Sequence, residues 1–317
     1  MKRFNINCQI ILLFNKNGEN MDIKLVKNEL IKNSERAEQV HYIEINVSKI
    51  ESIDEELAEK FIKDIISLNC RLNFTDETWK DIKEIIQDKY EKTQRYQKGY
   101  LKNDGTIIPL IANYVIEKIF NIELLSYSAD LRDIEIVPKG FDSLFLDKDF
   151  SIFLCEYKSS ISKLNEDGIS NRFIDGYKSV FCKESSVISK INEIKTRINE
   201  NKDNKDKIIK NLNQLISNRR QLENLIDKKC TKFNLCSITK SKVKINTIDM
   251  VNKINKKFEK EIFCMEENKK QCRKYDSCEK INKIKVKNII VIKIPENFKL
   301  EEFYKNVIKI IEGKMHG

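Results

Sequence analysis

The chain has 317 residues, 40% hydrophobic and 34% charged, enough for one large domain or two ordinary ones with a buried core. That balance fits a soluble globular protein, and no apolar run is long enough to span a bilayer, which excludes a helical membrane protein. A formal charge of +10 and a pI of about 8.9 favour anionic partners such as nucleic acid, although lysine is abundant throughout and dilutes that signal.

The start, "MKRFNINCQIILLFNKNG", has a basic tip but an apolar run only from Ile10 to Phe14, so it reads as a strand rather than a signal peptide. Residues 1–98 read as a small α/β region. "CQIILLF" and "HYIEINV" alternate as strands, while "DEELAEKFIKDIISL" and "DETWKDIKEIIQDKYEK" carry apolar residues at helical spacing. Trp79 falls on the apolar face of the second helix and reads as core. A polar bridge leads to "TIIPLIANYVIEKIF", an apolar helix with Pro109 in its first turn.

Three short strand candidates follow, "RDIEIVPKG", "FDSLFL" and "FSIFLCEYK", and then the helix "NRFIDGYKSVF". From 184 to 228 isoleucines and leucines recur at helical spacing in two arms separated by a polar stretch at 199–207, which predicts a helical hairpin. It reads either as a self-packed spacer or as a docking arm. Residues 229–282 are mixed and basic, with no assigned elements. "VKNIIVIKIP" closes the series as a strand and "LEEFYKNVIKIIEGK" as an amphipathic helix.

Nine cysteines without a Cys-x-x-Cys pair read as reduced thiols of a cytoplasmic protein rather than a zinc site or a disulfide frame. His41 and His316 have no acidic or cysteine companions nearby. Only eight glycines are present and none forms a Gly-x-x-x-x-Gly-Lys-[Ser/Thr] loop, so ATP-driven movement would need a partner.

The chemistry concentrates in "KGFDSLFLDKDFSIFLCEYKSS", residues 139–160. Residues two apart share a face of a strand, so Glu156 and Lys158 point the same way. A turn centred on Asp147, Lys148 and Asp149 would pair Leu146 with Phe150 and set Asp142 opposite Leu154, on that same face. Two carboxylates close together need a cation, and hard oxygen ligands suit Mg²⁺ or Mn²⁺. Such an ion activates water and polarises a phosphodiester, with Lys158 orienting or deprotonating that water or offsetting transition-state charge. The plainer alternative is an edge strand whose charges reach solvent. Other Glu-x-Lys and Asp-x-Lys triplets lie in polar surroundings, whereas this one ends an apolar strand.

Gly140-Phe141-Asp142 ahead of Glu156-Tyr157-Lys158, within the order helix, three strands, helix, strand, resembles the PD-(D/E)xK nuclease superfamily. Phe141 stands where the superfamily's name has proline. The resemblance covers about 107–183 plus 287–294 and implies an α/β, restriction-endonuclease-like αβββαβ core. It implies metal ligation by Asp142, Glu156 and the backbone carbonyl of Tyr157, with Lys158 as the catalytic lysine. Glu117 is the candidate for the glutamate many members add from the first core helix. Lys139, Ser159, Arg172 and Lys178 are candidate nucleic-acid contacts.

On this reading residues 1–98 form the N-terminal region and 99–183 the first part of the core. Residues 184–282 form a helical and basic insertion, and 283–317 the last core strand and closing helix. The "KGFDSLF…CEYKSS" core also resembles the nuclease subunit of the Hachiman antiphage defence system. That likeness implies a DNA-degrading effector acting with a helicase or other ATPase subunit. A non-catalytic scaffold or nucleic-acid-binding subunit with the same fold is the alternative.

Overall fold

A computed structural model of the protein describes residues 21–32, 39–50, 107–127, 141–160, 166–181, 205–217, 231–254, 288–298 and 300–315. It also describes individual helical positions at 80–91 and part of 190–198. The expected strand at 8–14, the expected helix at 54–68, Trp79, Lys139 and the strand candidate at 132–137 lie outside these residues.

The strands are β1 (Met21–Lys32), β2 (Gln39–Ile50), β3 (Glu123–Tyr127), β4 (Ser143–Leu146), β5 (Ile152–Ser159), β6 (Thr231–Lys240) and β7 (Asn288–Ile294). The helices with defined ends are α1 (Ile107–Phe120), α2 (Glu166–Phe181), α3 (Lys205–Ser217) and α4 (Leu300–Met315). The seven strands form one mixed sheet in the order β1-β2-β7-β6-β5-β4-β3. β3, β4 and β5 are an antiparallel meander; β5, β6, β7 and β2 run parallel; and β1 returns antiparallel to β2. The fold is thus α/β, as expected.

Helices cover both faces, which explains the near-continuous apolar run of β7. On one face Phe153, Cys155 and Tyr157 of β5 join Ile43, Ile45 and Val47 of β2 under α1 and α4. On the other Ile152 and Leu154 join Leu235 and Ile289 under α2, α3 and the segment 243–254. The apolar residues Ile191, Ile194, Ile198, Ile208 and Leu212 from the predicted hairpin enter this second cluster, so they are packed onto the sheet face. Among the described residues no helix is long and apolar enough to cross a membrane.

Three elements differ from expectation. The first strand of the meander is 123–127, reached directly from α1 through Asn121, whose positive φ of 50° ends the helix. β6 falls where no element was assigned, inside the stretch read as an insertion, and occupies the centre of the sheet. β1 also escaped notice, because an edge strand with Lys24 and Glu29 exposed has little apolar signal. Since β2 pairs with β7, strands from the N-terminal region and from the expected core belong to one sheet.

Candidate functional site

The hairpin between β4 and β5 sets the site. Asp147 closes its turn: its amide donates to Ser151 O at 3.1 Å, and its Oδ1 accepts the amides of Asp149 and Ser151 at 2.9 and 2.8 Å. Phe150 takes the left-handed position, φ 61°, which glycine usually fills. The loop therefore holds Lys148, Asp149 and Phe150. The register slides by two from the expected one, with Leu146 facing Ile152 and Leu144, not Asp142, facing Leu154. A slide of two leaves every side chain on its face. The regular register ends at Ser143 and Cys155: the Asp142 amide also donates to Cys155 O, at 3.0 Å, so Asp142 and Ser143 both lie against Cys155.

The three expected residues do come together. Lys158 Nζ donates to Glu156 Oε1 at 2.5 Å, and Asp142 Oδ2 accepts the Tyr157 amide at 2.6 Å. Glu156 is 2% exposed, and β5 is paired on both sides, so the edge-strand alternative does not hold. A carboxylate so buried persists only with charged or hydrogen-bonded partners. α2 seats directly over it: an added Cβ at Gly176 would lie 3.3 Å from Glu156 Cγ and 3.4 Å from Lys158 Cγ.

Burial draws the Lys158 pKa down, but Glu156, Asp142 and Asp175, together with the hydrogen bond to Glu156, outweigh it and hold the ammonium above the usual lysine value. Lys158 therefore stays protonated at neutral pH. As an ammonium it can offset negative charge in the site.

Tyr157 connects the two faces. Its hydroxyl donates to Asn113 Oδ1 at 2.7 Å, as does Ser143 Oγ at the same distance, tying the site strands to α1. A strand residue's amide and carbonyl point to the same side. The Tyr157 carbonyl thus faces the gap where β4 ends, beside Asp142. The donor set is two carboxylates and one carbonyl, all hard oxygens, which suits Mg²⁺ or Mn²⁺. Among the described residues no three His, Cys, Asp or Glu side chains gather to hold an ion.

Glu117 is not brought to this group. α1 lies on the face opposite Glu156 and runs antiparallel to β3, with its start at the site end of the sheet. Glu117, one turn beyond Asn113, is carried toward the far end, where Oε1 accepts the Leu124 amide at 2.8 Å. Position in sequence marked the right helix, but its direction decides which residues reach the site.

Ser159 is half-buried and shares the face of Tyr157, not that of Glu156. Ser160 is on the Glu156 side, fully buried, with its hydroxyl 2.6 Å from that of Ser237. Arg172 stands on α2 with Nη1 3.6 Å from Asp175 Oδ2, and both are partly exposed. Lys178 belongs to the same helix.

Two residues were missed. Asp175 acts electrostatically on Lys158; its spacing from Arg172 was the only sequence signal. Lys190, 3% exposed, donates to the Phe141 carbonyl beside Asp142. Cys155 and Cys236 are buried free thiols whose pKa burial pushes well up, which removes them as nucleophiles. No protein-family model, curated protein or solved structure matches the chain.

Proposed function

We propose that this chain is a metal-dependent nuclease that hydrolyses DNA phosphodiester bonds. The observation that carries the reading is the convergence of Asp142 and Glu156 with a protonated Lys158 at the end of paired strands, beneath α2. The order α1, antiparallel β3-β4-β5, α2, then β6 parallel to β5 supports a restriction-endonuclease-like core. The charge of +10 supports a polyanionic substrate.

Asp142, Glu156 and the Tyr157 carbonyl would hold Mg²⁺ or Mn²⁺. Bound there, the ion would polarise a phosphodiester oxygen and lower the pKa of a water. Lys158 supplies a fixed positive charge for the developing phosphorane. α2, at Gly176, excludes water from the buried side of Glu156. A cytoplasmic antiphage role beside a helicase or other ATPase subunit completes the proposal, on the resemblance of the 139–160 core to the Hachiman nuclease subunit.

The test is Mg²⁺-dependent cleavage of duplex and single-stranded DNA by wild type, Glu156→Gln and Lys158→Met. The expected loss is about 10²-fold or more for each, the scale of removing one transition-state partner. Cleavage at the wild-type rate by both variants would overturn the assignment.

A non-catalytic subunit is the second reading. It is favoured by the engagement of both carboxylates within the chain, Glu156 by Lys158 and Asp142 by Tyr157. Calorimetry with Mn²⁺ separates the two, since only the nuclease binds the ion at millimolar concentration.

A further inference from the structure

β4 meets β5 through a bulge at the site. The Asp142 amide donates to the Cys155 carbonyl at 3.0 Å while Ser143 is the regular register partner of Cys155, so two residues of one strand oppose one of the other. β4 ends there, and the placement of Asp142 falls to side-chain bonds. Its Oδ2 accepts the Tyr157 amide at 2.6 Å. On the opposite face of the sheet Asn113 of α1 accepts two hydroxyls on a single oxygen: Ser143 Oγ and Tyr157 Oη each lie 2.7 Å from its Oδ1. Asn113 and Ser143 are fully buried and Tyr157 nearly so. One carboxamide thus grips the residue after Asp142 and the residue between Glu156 and Lys158.

We propose that Asn113 is a positioning residue of this site: by clamping Ser143 to Tyr157 across the bulge, it holds the Asp142 carboxylate on the Tyr157 amide. Packing alone does not call for these groups. Asn113 stands among Leu110, Ile111, Ala112, Val115 and Ile116, all buried, and among the described residues its Nδ2 has no hydrogen-bond partner. Burying a polar atom unpaired is costly, and leucine has the same branched shape without it. Alanine at 143 and phenylalanine at 157 would likewise fill the core with no hydroxyl to satisfy. A departure from an all-apolar core, centred on one oxygen behind the candidate residues, is what holding a site in place requires. The consequence for metal binding rests on the nuclease reading; the clamp itself does not.

The experiment compares wild type, Asn113→Leu, Asn113→Asp and the triple variant Asn113→Leu/Ser143→Ala/Tyr157→Phe in the whole chain, by urea denaturation, amide hydrogen exchange and Mn²⁺ titration. Asn113→Leu strands two buried hydroxyls and should be destabilised. The triple variant removes all three polar groups and should regain that stability, since apolar replacement of a whole hydrogen-bonded set is nearly neutral. Stability and position then separate. In the triple variant the amide at position 157 should exchange about tenfold or more faster than in wild type, the scale of one hydrogen bond to a carboxylate, with the Phe153 amide unchanged. Its Mn²⁺ affinity should fall by about 10–100-fold, the usual effect of losing a group that orients a ligand, whereas Asn113→Asp, which keeps the accepting oxygen, should retain most of it. Wild-type exchange at position 157 and wild-type Mn²⁺ affinity in the triple variant, or its failure to regain the stability lost in Asn113→Leu, would overturn the proposal. Faster exchange at 157 with no Mn²⁺ binding by wild type would instead uphold Asn113 and reject the nuclease.

Discussion

Gly176 is the point where α2 comes closest to the site, and a single methyl there probes it. Gly176→Ala sets a carbon 3.3 Å from Glu156 Cγ, 3.4 Å from Lys158 Cγ and 3.5 Å from Leu235 Cδ2. Carbon contacts ordinarily sit at about 3.5–4.0 Å, so both site residues must retreat by a few tenths of an ångström. The helix itself gains about 1 kcal/mol from the exchange of glycine for alanine. The extra methyl in a packed interior costs about 1–3 kcal/mol. The sum is a loss of roughly 0–2 kcal/mol, small because the Lys158 chain can yield.

Activity responds more than stability. A misplacement of about 1 Å costs about 10²-fold, so on the proposed nuclease reading a few tenths of an ångström at Glu156 and Lys158 should lower kcat by about 3–10-fold. Gly313→Ala is the control: it is also in a helix, and no atom lies within 4 Å of the new methyl. It should gain up to about 1 kcal/mol at unchanged kcat. The assays are thermal unfolding and steady-state DNA cleavage. Equal stabilisation of both variants at full activity would refute the seating of α2 on Glu156 and Lys158.

Lys158 carries a pH prediction. Its folded value lies above the reference of 10.5, so its stabilising contribution is complete below pH 10.5 and is lost as pH rises through the folded value. The stability gap between wild type and Lys158→Met should therefore be flat from about pH 6 to 9 and narrow only above pH 10.5, followed by denaturant titration. Narrowing below pH 9 would contradict the raised value. Across the sheet, at the same end of the parallel strands, Lys293 Nζ is 2.8 Å from Glu44 Oε1, with side chains 13% and 7% exposed, and Tyr42 donates to Glu44 Oε2 at 2.9 Å. Lys293→Met should cost about 3–5 kcal/mol by leaving a buried carboxylate without its cation, and adding Glu44→Gln should return much of it. Additive losses in urea denaturation would show that the two residues do not form a pair.

The alternation of side chains along a strand is local, and from it the sequence alone placed Asp142, Glu156 and Lys158 on one face. For Glu156 and Lys158 that holds, and they meet; Asp142 reaches them across a break of one residue in the β4–β5 register, where its amide meets Cys155 O, which alternation does not foresee. The turn chemistry that set the true register, Asp147 capping two amides and Phe150 in a left-handed conformation, was beyond pattern reading. β6 was invisible because helices cover both faces of the sheet, and buried Asn234, Ser237 and Thr239 interrupt its apolar run.

Tertiary structure decided which other groups reach the site. The direction of α1 removed Glu117, strand alternation turned Ser159 away, and the packing of α2 brought Asp175 and Gly176 to Lys158. Lys190 is the clearest case. In a chain with 59 Lys and Arg residues no lysine stands out, and its partner carbonyl lies 49 positions away at Phe141. Periodicity reports which way a side chain points from its own backbone; what it meets there depends on contacts between segments far apart in the chain, which only the folded structure brings together.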